Sequence, residues 1–111
     1  MIVNDVHFRV PEDSCEKIGE RIKDALDRAE ATPHSALRMV FTVTPSRQLF
    51  RRRTITELRE TVEPFRCRVR YACVENVIVL PNLAVRRIVK TIIPFFKPDV
   101  PTKIVDKYTV K

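Results

Sequence analysis

Glycine is nearly missing from this chain: Gly19 stands alone among 111 residues, against eight prolines. Without glycine there is no flexible phosphate loop, since GxGxxG, GxxxxGK and GxxG patterns all need it. Rossmann-type and P-loop nucleotide binding are excluded on that ground. Breaks between elements then fall to Pro, Asn, Asp, Ser and Thr. Cysteine is equally unhelpful to chemistry: Cys15, Cys67 and Cys73 form no CxxC pair and have no metal-ligand spacing. An odd cysteine count, and a start "MIVNDVHFRV" without a basic, apolar leader, predict free thiols in a soluble, intracellular, cytoplasmic protein. No apolar run comes near the roughly 18 residues needed to span a bilayer. The two histidines, His7 and His34, lie in a predicted strand and a predicted turn, and no His, Cys and Asp grouping has metal-ligand spacing. Neither a catalytic set, nor a metal site, nor a cofactor is expected.

Charge of one sign is missing over a long stretch. Residues 31 to 56 contain no acid at all. Net charge is +7, but residues 1–30 hold eight acids against five bases, while 31–111 hold six acids against sixteen bases. This asymmetry implies an anionic partner: phosphate-bearing ligands such as phosphoinositides, an acidic protein, or nucleic acid.

The length predicts a single domain over 1–111. "MIVNDVHFRV" alternates and predicts a strand over 2–10, closed by Pro11. Ile18, Ile22, Ala25, Leu26 and Ala29 follow helical period, with Asp13 and Glu16 read as a capping box. Gly19 inside that helix suggests a close packing contact. "ALRMVFTVT" (36–44) predicts a central strand. A loop follows, in which Leu49 and Phe50 are expected against the core. Thr54, Ile55, Thr56 and Glu57 match the S/T-x-x-E capping box, which predicts a second helix opening at Thr54 and ending at Pro64.

The stretch 66–80 is open to two readings. Arg66, Arg68 and Arg70 alternate with Cys67, Val69 and Tyr71, as on a strand with one basic face and its cysteine, with Cys73, turned inward. Glu75 and Asn76 mark either a kink in one path or a hairpin turn. Pro81 and Asn82 then open a third helix, whose apolar stripe is Val85, Ile88, Val89, Ile92 and Phe96, and a last strand is expected over 102–109. The order β-α-β-α-β-α-β predicts an α/β domain with a mostly parallel four-stranded sheet and three helices. The alternative is an α+β fold with a hairpin at 66–80.

The segment "VENVIVLPNLAVRRIVKTIIPFFKPDVPTKIV" resembles the second half of CRAL-TRIO lipid-exchange domains and, more broadly, the STAS fold of small signalling domains. The strand ending in Pro-Asn, the helix ending in "PFF" and the Lys-Pro turn before "PTKIV" carry the likeness, which spans about 36–111. It implies a parallel α/β domain. The chain is far shorter than a CRAL-TRIO domain, so bulk lipid transfer is not implied. "TPSRQLFRRRTITE" lacks the Asp-Ser and the Gly of the bacterial STAS phosphorylation stretch, leaving Ser46 and Thr54 as nearby hydroxyls.

Two surfaces emerge as candidate sites for a non-catalytic interaction module. Arg47, Arg51, Arg52 and Arg53 stand before the helix start at Thr54, where free N–H groups and the helix dipole already favour an anion. A loop after a strand C-terminus in a parallel sheet is also a common ligand edge. The alternative is RNA binding by a strand face of Arg66, Arg68 and Arg70, with Tyr71 as a stacking ring.

Overall fold

The computed structural model describes residues 1–47, 51–96 and 99–108, with backbone alone at 95 and 96. Four strands alternate with helical crossovers: β1 (Ile2–Val10), α1 (Cys15–Ala31), β2 (Ser35–Val43), α2 (Arg52–Val62), α3 (Arg66–Ala72), β3 (Cys73–Val79), α4 (Leu83–Ile92) and β4 (Thr102–Val105). A 3-10 turn, Glu63–Phe65, links α2 to α3, and another, Ile93–Phe96, follows α4. All strands pair in parallel, in the order β1-β2-β3-β4. The fold is the expected α/β domain.

Each crossover moves one strand further in the same direction. Right-handed crossovers of that kind deliver every helix to one face of the sheet. The core reflects it. Phe8 of β1, Leu37 and Met39 of β2 and Cys73 of β3 pack with Ile18, Ile22 and Leu26 of α1. Val10, Val43 and Ile78 pack with Val85 and Val89 of α4. Phe8 and Phe41 stack at 5.0 Å between adjacent strands.

The other face carries no helix among the described residues. Parallel sheets are ordinarily covered on both sides. Here Val40, Val77 and Val79 are buried under Val105 and Tyr108 instead. Beside them a row of alternating charge crosses the strands. Arg38 lies 3.3 Å from Asp5 and 2.6 Å from Glu75, and Lys103 lies 3.5 Å from Glu75. The Tyr108 hydroxyl donates to Asp5 Oδ2 at 2.7 Å and accepts from Arg38 Nη1 at 3.1 Å. That hydroxyl and then Glu75 hold the Arg38 guanidinium more firmly protonated than usual.

Several local expectations are corrected. The stretch 66–72 is a helix, and 73–79 is one strand, so the hairpin alternative falls. Phe65, Val69 and Ala72 recur at helical spacing and pack on the core, which turns Cys67 and Tyr71 outward to solvent. Of the two cysteines expected inside, only Cys73 is buried, and burial raises its thiol pKa. The Glu75 region holds a kink: the register slips between Leu37 and Arg38, leaving Val74 as the extra residue.

The first helix is capped by Ser14, whose Oγ accepts from the Lys17 N–H, and not by Asp13. Asp13 turns back to β1, accepting the Arg9 N–H at 2.8 Å while its own N–H bonds the Arg9 carbonyl. The second helix begins at Arg52, two residues before Thr54, and the helical path bends through Pro64 instead of stopping there. In α4, Val85 and Val89 are buried but Ile88 is 47% exposed, so the apolar stripe is narrower than its sequence pattern. Leu49 and Phe50, the Phe96 side chain and the last expected strand residue, Thr109, lie outside the described residues.

Candidate anion-binding rim

β2 and β3 are the two central strands, and both run the same way. Each leads from its C-terminal end into a helix, α2 and α4 respectively. The N-termini of these helices therefore share one end of the sheet. Leu58 of α2 packs against the same core cluster that holds Val85 and Val89 of α4. The strand order never reverses, so there is no crevice of the kind that diverging loops open in doubly wound sheets. Any ligand at this end must be held by charge and by helix termini on an open surface.

The start of α2 is poorly satisfied from within. Arg51 occupies the N-cap in extended conformation and offers no side-chain acceptor, and the first turn carries no acid. A cap residue such as Ser or Asp would accept one of the free N–H groups there. Thr54 sits in the first turn, half-buried, where the sequence pattern had made it the cap. Arg47, Arg51, Arg52 and Arg53 are all exposed. Arg53 reaches Glu57 at 2.9 Å, one turn on, with both side chains largely in water. Arg47, Arg51 and Arg52 have no carboxylate within ion-pair distance among the described residues.

The alternative nucleic-acid face is not assembled. Arg66 forms a forked pair with Asp99, its Nε to Oδ2 at 2.6 Å and its Nη2 to Oδ1 at 3.2 Å. Arg68 reaches across to α1, where it bonds Glu30 at 2.8 Å and Asp27 at 2.7 Å. The Arg68 contact draws the Glu30 carboxyl below its usual range, and Arg66 does the same for Asp99. Arg70 and Tyr71 are exposed, with Tyr71 at 88%. Two of the three arginines are thus already engaged with carboxylates, and on a helix they share no strand face with Arg70.

A feature that the sequence did not suggest lies beneath α2. A cavity of about 220 Å³ lies between the helices and the sheet, with Ile18 and Ile22 of α1, Ile55, Leu58 and Val62 of α2, and Phe41 of β2 among its lining residues. Arg66 and Asp99 stand at its wall. Its amphipathic signal is plain in α2, yet none of that helix's residues is fully buried. No group of three His, Cys, Asp or Glu side chains that could hold a metal ion occurs among the described residues. No helix among them is long and apolar enough to cross a membrane. Comparison of the chain with protein-family models, curated proteins and solved structures finds no match.

Proposed function

We propose that this chain is a non-catalytic α/β interaction module, of the STAS-like or CRAL-TRIO-like kind, that binds a phosphate-bearing anion at the rim formed by Arg47, Arg51, Arg52, Arg53 and Thr54. One contrast supports the reading most. Arg21, Arg28, Arg38, Arg66 and Arg68 each lie against a carboxylate, whereas among the described residues Arg47, Arg51 and Arg52 have none at ion-pair distance. Guanidinium groups with no carboxylate beside them among the described residues, next to a helix start without a side-chain cap, can offer forked hydrogen bonds to phosphate oxygens. The α2 dipole adds a further partial positive charge at the same place.

The test is a titration with inositol hexakisphosphate at two salt concentrations. Replacing Arg51, Arg52 and Arg53 together by Ala should leave the thermal melt nearly unchanged, because exposed arginines contribute little to stability. Affinity should fall by about tenfold or more, since hydrogen bonds to charged groups are worth roughly 1.5–3 kcal/mol each. The residual binding should also depend less on salt. Overlapping curves for wild type and variant would mean that the cluster is only solvated charge.

A further inference from the structure

The cavity between the helices and the sheet is large for so short a chain. Close-packed interiors leave few voids bigger than a water molecule, whereas this one holds about 220 Å³. Its floor is the helix-facing side of the sheet, from Met39 and Asn76 at one end to Val43 at the other. The rise along β2 makes that about 13 Å. Phe41, Leu58 and Ile78 line its middle. The polar lining residues are Glu63, Arg66, Asn76, Asp99 and Thr102. All five gather at the Asn76 end: Thr102 pairs with Asn76, Asp99 binds Arg66, and Glu63 lies 3.8 Å from Arg66. Acceptors outnumber donors there. Arg66 is already engaged with both Asp99 and Glu63. Asn76 donates its Nδ2 to Thr102 Oγ1 at 3.4 Å, while among the described residues its Oδ1 receives only a long contact from the Cys73 thiol at 3.7 Å. Arg70 also acts on Asp99 and offsets the surplus negative charge, so the vacancy suits a donor without formal charge.

We infer that this cavity is a binding site for a small uncharged molecule with an apolar body and one hydroxyl, of the para-alkylphenol class, lying along the strands with its hydroxyl donating to Asn76 Oδ1. Size sets the body. An apolar cavity of roughly 150 Å³ accepts benzene, so one of about 220 Å³ suits about nine heavy atoms, and its length suits a ring with a substituent in line. The polar end sets the head. A carboxylate there would face Asp99 and Glu63, and a plain hydrocarbon would leave the Asn76 oxygen unserved. Water is a poor occupant, because apolar walls give it too few hydrogen-bond partners. A bound ring would also supply what α2 lacks, since none of its residues is fully buried although its apolar side turns inward. The site is separate from the arginine rim, which stands at the opposite end of α2 from Glu63 and Arg66.

The experiment titrates para-ethylphenol, para-ethyltoluene and para-ethylbenzoate into wild type, Val62→Phe and Asn76→Ala, followed by methyl NMR, with thermal melts to show that each variant is folded. Burying a hydroxyl without a partner is costly, so a void that is merely apolar prefers the hydrocarbon. Wild type should instead prefer the phenol, by about fivefold, as one well-placed hydrogen bond allows. It should bind the benzoate at least about tenfold more weakly than the phenol, because that carboxylate meets two others. The methyl signals of Leu58, Val62 and Ile78 should move as the phenol saturates. Val62→Phe puts a ring into the same space and should weaken the phenol by about tenfold or more. Asn76→Ala should reverse the preference towards the hydrocarbon. Absence of saturable phenol binding by wild type, a wild-type preference for hydrocarbon or benzoate, or signals that move only away from the cavity would each overturn the inference. So would unchanged phenol affinity in a folded Val62→Phe. If that variant does not fold, the wild-type preference and its reversal in Asn76→Ala decide the matter.

Discussion

Helices α1 and α2 lie on the same face of the same sheet, and both are strongly amphipathic, yet they are held very differently. Over its 17 residues α1 buries Ile18, Ile22, Leu26 and Ala29, and it opens on a Ser14 side-chain cap. Over its 11 residues α2 buries none, and it opens on Arg51 with no side-chain cap. The difference lies beneath them. α1 packs on Phe8, Leu37 and Met39 with those four side chains buried, although Ile18, Ile22 and Met39 also form one wall of the cavity. α2 stands over the 220 Å³ cavity, which Ile55, Leu58 and Val62 line without filling. An apolar face in the sequence specifies which side of a helix turns inward; how deeply it sinks depends on what the sheet presents from below.

The strongest way to test this comparison is paired truncation. Leu26→Ala should cost about 2–5 kcal/mol in a urea titration, because it opens a void in an enclosed core. Leu58→Ala should cost about 1 kcal/mol, because it only enlarges space that is already there. Equal costs would show that α2 is packed as firmly as α1 and that the cavity closes in solution.

A smaller effect concerns how α1 is tied to β1. Asp13 is buried, with its side chain only 3% exposed, and lies 3.2 Å from Arg21 and 3.5 Å from Lys17. The Arg9 N–H, above all, holds its carboxyl below the usual aspartate range, with help from the two cations. A depressed folded pKa means stability that is fully present above the unfolded value of about 3.9 and is lost as pH falls through the lower folded value. Asp13→Asn should cost about 1–3 kcal/mol at neutral pH, and the variant's stability should fall less steeply below pH ~4 than wild type's. Parallel pH profiles for the two proteins would remove Asp13 from the account.

The smallest effect runs the other way. Gly19 faces α2, and a Cβ built there would meet Thr61 Cγ2 at 3.5 Å, an ordinary contact. The close approach that the sequence suggested therefore leaves room for a methyl group. Gly19→Ala should stabilise by about 0.5–1 kcal/mol through helix propensity and a less flexible unfolded chain. A loss of stability instead would place α1 and α2 closer together than they stand here.

Periodicity made most of the fold legible. The strand of residues 2–10 and the α1 stripe at 18, 22, 26 and 29 appear where their patterns put them. Residues 66–72 misled because three arginines at every second position satisfy period two, while the apolar residues that decide, Phe65, Val69 and Ala72, satisfy period 3.6. What holds Arg66 and Arg68 could not be read locally either, since Asp99 is 33 residues from Arg66 and Glu30 is 38 from Arg68. The charge row from Asp5 to Lys103 was hidden for the same reason: it depends on strand register, which no short window contains. For the rim, the sequence showed the arginines and the missing acids, while the helix itself starts at Arg52 and not at Thr54.

The small contact among Arg9, Asp13 and Arg21 has a consequence for the outside of the sheet. β1 is an edge strand, and its odd-numbered residues aim their backbone groups away from β2: the Ile2 N–H and Val10 carbonyl bond residues on the β2 side, while the Arg9 groups turn outward to Asp13. Asp13 occupies both outward groups of Arg9, and Arg21 occupies the outward carbonyl of His7 at 3.2 Å. A foreign strand zipping onto this edge would therefore run into a stopper at His7 and could pair only with the first half of β1. The salt link that ties a helix to its strand thus also acts as a chain stop against sheet-to-sheet polymerisation.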